Sequence, residues 1–391
     1  MRCVLVPLLL AAVTLTTALT AACAPANEHR AIADTTDSAG VVIVRGPAVD
    51  DSLPWTFTEI RRLGGADTGA QAFDAATAYT VATDGVSRIA VLDSRNNNRV
   101  HLFDATGTLL RTVGGKGGGP GEMEYPQGIA VDRNGRLSAV DAAKSALLRW
   151  DAQGTPLPEQ RLDLGYGRVW GMVQLHGDDI YAAVDLIGEA MAVRRLERWA
   201  PTDTQRIDST VAPKPAMTRF RCVGLTLPPL FTGELTFAVA DDQVAVTHQS
   251  AYVIDVYRNG ARVRSVRRDV ALVKASVADA VKLYPEGLMV SFGSETCTTP
   301  ATEVGEKVGV APTLPLVRAM RVAPDGSLWV ERYTFSGETP RTDVFDAEGH
   351  YLGTVSGRSL PLGFLGPDLV LFPVTDDVDG TSVIGVFRIT R

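Results

Sequence analysis

Short apolar runs separated by polar turns fill most of the 391-residue chain. A representative stretch is RIAVLD (88–93), a polar turn, RVHLF (99–103), the turn DATG (104–107) and an outer run that ends at Val113. Alternation of this kind, with hairpin-type turns at short spacing, is typical of antiparallel strands. No helix-length amphipathic pattern interrupts these runs, so the pattern predicts an all-β fold.

The strand pattern repeats along the chain. Gly64-Gly65 matches Gly114-Gly115 at an offset of 50, and after a slip of two residues Asp93 matches Asp141. A fixed period of this length is the mark of a propeller or a solenoid. Each repeat contains four predicted strands, so the repeats are expected to be four-stranded blades.

Blades one, two and five are the clearest copies, and the other stretches repeat them in a more degenerate form. The later copies are Met172–Ile207, Leu235–Val270, Val317–Val355 and a partial one, Asp368–Ile389, that has no outer strand. Trp55–Leu63 precedes a Gly-Gly connector as Leu109–Val113 does. We therefore expect Trp55–Leu63 to complete the last blade and close the ring, which removes the free edges.

A glycine-rich stretch, GGKGGGPGEMEYPQG (114–128), lies between the first two blades. A phosphate-binding loop needs a following helix and a Lys-Ser/Thr pair, but here a strand (129–131) follows and Lys116 stands alone. The stretch is therefore interpreted as a connector from an outer strand to the next inner strand. Met123 and Tyr125 are expected to pack between the blades.

The connector and the PQGIAVD that follows it (126–132) resemble the repeat of six-bladed β-propellers of the NHL kind, above all bacterial propeller lipoproteins. The resemblance covers roughly residues 55–390 and is strongest in blades one, two and five. It implies a six-bladed β-propeller with four-stranded antiparallel blades, closed by an N-terminal strand.

The N-terminal 23 residues have the composition of a secretory signal: Arg2, an apolar stretch and small residues before Cys23. Leu19–Cys23 resembles a lipobox, although Thr20 stands where Leu is usual. The resemblance implies cleavage before Cys23 and its lipidation; ordinary cleavage near Ala21–Ala22 or a retained helix are the alternatives. The predicted organisation is a signal at 1–23, a small, polar tether and N-terminal extension at 24–54, and a propeller at 55–391.

The predicted location is the bacterial cell envelope. Position 24 is Ala rather than the Asp that favours retention in the inner membrane of some Gram-negative bacteria, so an outer-membrane lipoprotein facing periplasm or exterior is expected. The formal net charge is −7 and no basic run forms a nucleic-acid patch, so nucleic acid is not an expected partner. The chain is expected to be a monomer.

Two insertions near blade four, 212–233 and 276–315, break the rhythm, and each carries one cysteine. Export favours a disulfide between Cys222 and Cys297 that joins the insertions over one face; two separate buried thiols are the alternative. Ser276 and Asp279 form a capping-box pattern, which predicts a short helix that ends before Pro285. Insertions on a propeller face commonly shape a binding site, although a packing role without a ligand is an open alternative.

Candidate ligand-binding residues end the second strand of successive blades and are expected to lie at one level of the ring. They are Asp93, Asp141, Asp185, His248 and Arg332. Such a ring could bind a cation or a small anion. The alternative is structural, since an Asp at this place in NHL-type blades hydrogen-bonds a turn backbone.

No catalytic constellation emerges from the sequence. It has no Gly-x-Ser-x-Gly motif, and of its five His only His248 lies at the ring, so a His zinc triad is not expected. No cofactor is expected, apart from a possible Ca²⁺ at the Asp-rich turn 376–380. The favoured function is binding of an envelope protein, peptide or glycan. The alternatives are a metal-dependent hydrolase or lyase that uses carboxylates at the central channel, and a purely structural scaffold.

Overall fold

The computed structural model describes residues 34–64, 73, 80–93, 97–162, 168–187, 191–200, 203–213, 218–219, 226–292, 295–375 and 382–391. They belong to one compact unit, Ala31–Arg391. The unit is an all-β propeller of six blades, each with four antiparallel strands, and the described residues contain two short helices. This confirms the predicted fold.

Three strands precede the first blade: β1 (Asp34–Ser38), β2 (Val41–Gly46) and β3 (Thr56–Leu63). Blade one contains β4 (Val81–Thr83), β5 (Arg88–Asp93), β6 (Arg99–Asp104) and β7 (Leu109–Gly114). Blade two contains β8 (Pro126–Val131), β9 (Leu137–Asp141), β10 (Ala146–Trp150) and β11 (Gln160–Arg161). Blade three contains β12 (Arg168–His176), β13 (Asp179–Ile187), β14 (Met191–Trp199) and β15 (Thr204–Pro213).

The first insertion contributes a small hairpin, β16 (Thr218–Arg219) and β17 (Thr226–Leu227). Blade four contains β18 (Thr236–Ala240), β19 (Gln243–Thr247), β20 (Val253–Arg258) and β21 (Ala261–Arg268). The second insertion contains α1 (Val277–Leu283), β22 (Leu288–Phe292), β23 (Glu295–Thr299) and α2 (Ala301–Val308). Blade five contains β24 (Val317–Val322), β25 (Leu328–Arg332), β26 (Arg341–Phe345) and β27 (Tyr351–Ser356).

Blade six is completed by the N-terminal strand. Its own strands are β28 (Gly363–Leu365), β29 (Leu369–Thr375) and β30 (Ser382–Thr390). β3 pairs antiparallel with β30 over Thr56↔Thr390 to Leu63↔Ile384 and so becomes the outer strand. The predicted closure by Trp55–Leu63 is confirmed.

The antiparallel order gives the propeller two distinct faces. The upper face carries the connections between blades and those between the second and third strands of a blade. The lower face carries the turns between first and second and between third and fourth strands. Both insertions are connections between blades, one before β18 and one after β21, so both lie on the upper face.

The N-terminal segment also extends blade four. β2 pairs in parallel with β21, and β1 pairs antiparallel with β2, so this sheet has six strands. The N-terminal extension at 24–54 therefore contains a strand, 34–38, that the sequence analysis did not predict. Every residue of β1 is exposed, so its sequence carries no buried-face pattern that could reveal the strand.

Aspartate turns with a glycine at positive φ shape the strand connections. Asp104 Oδ1 accepts the N–H groups of Thr106 (2.8 Å) and Thr108 (2.9 Å), and Asp151 and Asp346 repeat the arrangement in blades two and five. Gly107 follows Asp104 with φ +81°, a conformation that favours glycine. These hydrogen bonds explain why the DATG pattern recurs.

The glycine-rich stretch is an inter-blade connector, as predicted. It folds back on itself through hydrogen bonds from Met123 N to Gly115 O (2.7 Å) and from Gly117 N to Met123 O (3.1 Å). Met123 is fully buried in a core shared by blades one and two. Tyr125, expected to pack beside it, is instead 62% exposed, so that expectation was wrong.

The two insertions share a separate small core. Leu230 and Phe231 from the first insertion pack with Ala280 and Val304 from the helices of the second. Phe335 joins them from the β25–β26 connection, which lies on the same face. The capping box at the start of α1 is present: Asp279 Oδ2 accepts the Ser276 N–H at 2.9 Å and its Oγ–H at 2.7 Å.

Candidate functional site

A cavity of about 180 Å³ occupies the central channel at its lower end. Its wall comes from the inner strands of all six blades, which the chain places side by side around the axis. The lining includes Thr83, Arg133, Gln174, His176 and Asp241. A cavity of this size suits one side chain or a few ordered waters rather than a large cofactor.

The rim of this cavity, which we call the lower mouth, carries both signs of charge. Arg133 comes from the first turn of blade two, His176 ends the inner strand of blade three, and Asp241 starts the first turn of blade four. His176 Nε2 and Asp241 Oδ1 lie 4.0 Å apart, with side chains 43% and 72% exposed. The lower mouth therefore offers solvent-facing groups to a ligand.

Two lining residues hold the wall in place. Gln174 donates through Nε2 to Phe237 O (2.7 Å) and accepts from Val239 N (3.1 Å), which joins the inner strands of blades three and four. Asp84 Oδ1 accepts the N–H groups of Val86, Ser87 and Arg88 at 2.7–2.9 Å. Burial favours a higher pKa for Asp84, but these hydrogen bonds together bring its pKa below the ordinary value. Asp84 is thus an ionised structural group.

The residues predicted to form a ring lie at the upper ends of the second strands, on the face opposite the lower mouth, and Asp93 and Asp141 make internal contacts there. Asp141 is fully buried and accepts the N–H groups of Glu124 (2.6 Å), Tyr125 (3.2 Å) and Lys144 (3.1 Å). Asp93 is buried and accepts from Asn97 Nδ2 at 3.1 Å. Asp141 thus binds turn backbone, as the structural alternative describes, whereas the contact of Asp93 is with a side-chain amide.

His248 follows β19 and contacts the neighbouring blade. Its Nε2 lies 2.9 Å from Asp208 Oδ2, and the Tyr257 hydroxyl donates to Asp208 Oδ1 at 2.9 Å. The hydrogen bond with His248, followed by the one from Tyr257, outweighs burial and lowers the pKa of Asp208. The group joins blades three and four.

Arg332 belongs to a buried ion network rather than to an open ring. Its Nη1 lies 3.0 Å from Asp50 Oδ1 and 3.6 Å from Asp343 Oδ2. Arg268, whose side chain is fully buried, binds the same two carboxylates at 3.0 and 2.7 Å. Burial favours a higher pKa for Asp50, but Arg332 and Arg268 together hold it below the ordinary value. Asp50 thus fastens the N-terminal segment to blades four and five.

Several predicted sites lie partly or wholly outside the described residues. Asp185 lies on β13, but its side chain is not among the described ones. Cys23, Cys222 and the Asp-rich turn 376–380 lie outside them. Cys297 lies half-buried on β23 and is disulfide-bonded. The specific Cys222–Cys297 pairing stays a prediction.

One group of three possible metal ligands occurs within the described part of the chain. It is Asp346, Glu348 and His350, in the β26–β27 turn on the outer part of blade five. Asp346 already accepts two backbone N–H groups there, and His350 Nδ1 lies 3.0 Å from its Oδ2. The geometry is that of the repeated aspartate turn. Across these same residues, no helix has both the length and the apolar character needed to cross a bilayer.

The lower mouth was not predicted from the sequence, because the candidate residues chosen from it lie at the opposite ends of the strands. A signal was nevertheless present. Polar turns recur after the inner strands, as in Asp84-Gly85, Asn134-Gly135, His176-Gly177 and Asp241-Asp242. The same repeat that aligned Asp93 with Asp141 also places these turns together on the lower face.

The fold defines a six-bladed β-propeller, and one family comparison agrees with it. A family model described as a 6-bladed beta-propeller (DUF5128) matches residues 78–180, about a quarter of the chain. No curated protein matches the chain.

Solved structures give distant likenesses that concern the fold. A DUF4221 family member from Bacteroides vulgatus is 9% identical with a TM-score of 0.48, over 86% of this chain and 99% of that one. Virginiamycin B lyase from Staphylococcus aureus is 12% identical with a TM-score of 0.39, over 85% and 99%. Regucalcin, a calcium-binding protein from Agrobacterium tumefaciens, is 11% identical with a TM-score of 0.36, over 88% and 96%.

Proposed function

We propose that this chain is an exported, lipid-anchored propeller of the NHL-like kind that binds a peptide segment of an envelope partner at the lower mouth. The anchor rests on the lipobox-like Leu19–Cys23, and the binding role on the channel. One observation carries the proposal: all six blades converge on a cavity whose rim presents exposed Arg133, His176 and Asp241.

The chemistry of the lower mouth favours a peptide among the ligands considered. A peptide presents donors, acceptors and charges of both signs, which complement Arg133 and Asp241 at different points of the rim. Phe364 and the imidazole of His176 are the rings among the residues that line the cavity, so it offers few ring faces on which a sugar could stack. A cavity of about 180 Å³ can accept one anchoring side chain while the backbone lies across the rim.

The competing proposal is a metal-dependent hydrolase or lyase that uses channel carboxylates. Within the described residues, Asp84 and Asp241 are the carboxylates that line the cavity, and Asp84 is already bound by three backbone N–H groups. A catalytic divalent ion usually needs three protein ligands, which this pair does not supply. The binding role is therefore better supported than catalysis.

A phage-displayed library of linear peptides tests the proposal. The bait is the protein from Ala24 onward, with the double variant R133A/D241N for counter-selection; Asn keeps the left-handed backbone of Asp241 (φ +44°). We expect enriched peptides that bind wild type at least tenfold more tightly than the double variant. The control Y125A, exposed on the upper face, should bind like wild type.

Two results would contradict this proposal. One is enrichment of peptides that bind R133A/D241N as well as wild type. The other is a stoichiometric divalent metal, found by mass spectrometry on protein purified without chelator, whose removal by EDTA lowers the Tm. That second result would favour the hydrolase or lyase.

A further inference from the structure

The upper face of the propeller carries most of its exposed apolar side chains. Eleven large apolar residues are exposed within the described part of the chain. Seven lie on upper-face segments: Val49, Tyr125, Leu272, Val273, Val281, Leu283 and Met289. Five of these seven belong to the 18-residue stretch from Leu272 to Met289, which we call the apolar insertion segment.

The path of the N-terminal chain leads to the same place. β2 runs parallel to β21 towards the upper face, where Arg45 pairs with Arg267. β1 is antiparallel to β2, so its first residue, Asp34, lies opposite Arg45 at the upper edge of blade four. Asp34 is thus two strand spacings, about 10 Å, from the end of β21. The apolar insertion segment begins four residues after β21 ends.

The distance back to the proposed anchor is short. Ten residues, 24–33, separate Cys23 from Asp34, and a chain of that length spans at most about 35 Å. A lipid on Cys23 therefore keeps the upper edge of blade four within that distance of the bilayer. The lower mouth, at the opposite end of the channel, is left open to the aqueous side.

We infer that the apolar insertion segment rests on the bilayer surface and fixes the upper face towards the membrane. This inference rests on the proposed lipid anchor. A lipid on Cys23 attaches the chain at one point, and a second contact of several apolar side chains adds to the attachment and sets its orientation. Leu272, Val273 and Met289 are 56–58% exposed, so they can enter the interface without unfolding the insertion.

A neighbouring cleft on the upper face is also suited to contact with a bilayer. It measures about 420 Å³ and lies between the two insertions, lined by Phe231, Val310, Leu314 and three prolines among others. Its lining contains no charged residue. Lys274, Lys282 and Glu286 accompany the apolar insertion segment, so charges of both signs are present. The contact should therefore depend on apolar area rather than on anionic lipid.

Vesicle sedimentation tests the surface without the anchor. The protein from Ala24 onward is mixed with phosphatidylcholine vesicles, with and without phosphatidylglycerol, at low and high salt. We expect measurable partition onto both vesicle types and a loss of roughly tenfold or more in L272S/V273S/M289S. The matched control V86S/L110S/L352S removes three exposed apolar side chains away from the upper face and should partition like wild type.

Hydrogen exchange then tests the orientation of the full, lipid-bearing chain on vesicles. Amides of 269–290 should be protected by the bilayer, whereas the lower turns 84–88 and 241–243 should exchange as they do in solution. Equal partition of wild type and L272S/V273S/M289S would overturn the inference. So would self-association of wild type in the ultracentrifuge that the same variant abolishes, because the occupant would then be a second copy.

The test separates this inference from the proposed function. R133A/D241N should lose peptide binding yet still partition onto vesicles, and L272S/V273S/M289S should do the reverse. If mass spectrometry finds no lipid on Cys23 of the exported chain, the proposed anchor fails and the orientation inference fails with it. Peptide binding at the lower mouth would be unaffected by that result.

Discussion

At the scale of single residues, Asp141 is a carboxylate at a candidate ligand-binding position that has a structural role. It is fully buried, and its two oxygens accept three backbone N–H groups from the connector and the following turn. Without this carboxylate the N–H groups would be buried with no acceptor, and their desolvation would then destabilise the folded state. We expect D141A to lower the free energy of unfolding by about 3 kcal/mol in urea titrations.

The control for D141A is Asp178→Ala. Asp178 is 35% exposed and pairs with Arg136 and Arg149 at 3.7 and 3.6 Å, so its loss should cost less than about 1 kcal/mol. Equal effects of the two substitutions would contradict the structural role of Asp141. A selective loss of peptide binding in D141A, with stability unchanged, would instead restore Asp141 as a ligand-binding residue.

Glu331 supplies a pH-dependent prediction. Burial raises the pKa of its carboxyl, and the Arg318 charge and a hydrogen bond from the Leu360 N–H only partly offset this. The pKa of Glu331 in the unfolded chain is about 4.3, and below that pH the neutral carboxyl contributes its full stability. This contribution is lost as the pH rises through the higher pKa of the folded state. Wild type should therefore lose stability relative to E331Q between pH 4 and pH 8.

Thermal unfolding at several pH values checks this prediction. The Tm difference between E331Q and wild type should shift in favour of the variant as pH rises. The matched control is E348Q, which changes an exposed glutamate. A constant difference across the range would mean that Glu331 is paired well enough to stay ionised without cost.

At the scale of elements, the buried ion network fastens the N-terminal segment. Asp343 and Arg268 have fully buried side chains, whereas Asp50 is 28% exposed. Removal of one member of a buried pair leaves an uncompensated charge, at a cost of about 3–5 kcal/mol. We expect that cost for D343N. The cost of D50N should be smaller, because Arg268 and Arg332 still have Asp343 as an ion-pair partner in that variant. Urea titrations of both variants check the order, and a larger loss in D50N would contradict it.

Truncation separates the roles of β1 and β2. All of β1 is exposed, whereas Val44 of β2 is buried against blade four. A chain that begins at Val41 should keep the wild-type Tm within a few degrees. A chain that begins at Thr56 loses β2 and Asp50, leaves the β21 edge and the arginines without these partners, and should unfold at clearly lower temperature or aggregate. Equal Tm values for the two chains would rule out a stabilising role for this segment.

The elements differ in how far the sequence could predict them. Short apolar runs bounded by turn residues located the blade strands because strands such as β5 and β9 are buried on both faces. The β2–β21 pair joins residues more than 200 positions apart in parallel, and no local pattern reports such a partner. The repeat could align Asp93 with Asp141, but repeat spacing cannot tell that Asp141 is enclosed by backbone N–H groups.

At the scale of the whole molecule, the two faces of the propeller are chemically different. The lower mouth presents Arg133 and Asp241 to solvent, whereas the upper face presents the apolar insertion segment and the cleft between the insertions. The N-terminal chain leaves the propeller on the upper side. The proposed peptide site and the proposed bilayer contact therefore use opposite faces and do not compete for the same surface.

The predicted Cys222–Cys297 disulfide would link the two insertions on the upper face. Cys297 is disulfide-bonded on β23, and Cys222 in the first insertion is its predicted partner. A bond that closes a loop of about 75 residues typically stabilises a fold by ~2–4 kcal/mol. Because the insertions share a core of their own, we expect C222S/C297S to loosen them first. Hydrogen exchange should rise across 277–308 while β5, β6 and β9 keep their protection.

The reductant response gives the matched control for this link. Tris(carboxyethyl)phosphine should lower the Tm of wild type and leave C222S/C297S unchanged, since the variant has no bond to reduce. Vesicle partition of the variant should also weaken, because the apolar insertion segment needs the insertion core beneath it to hold its side chains at the surface. Alkylation of both thiols in the native, oxidised protein would show that the two cysteines are not paired. The insertion core alone would then have to hold the upper face together.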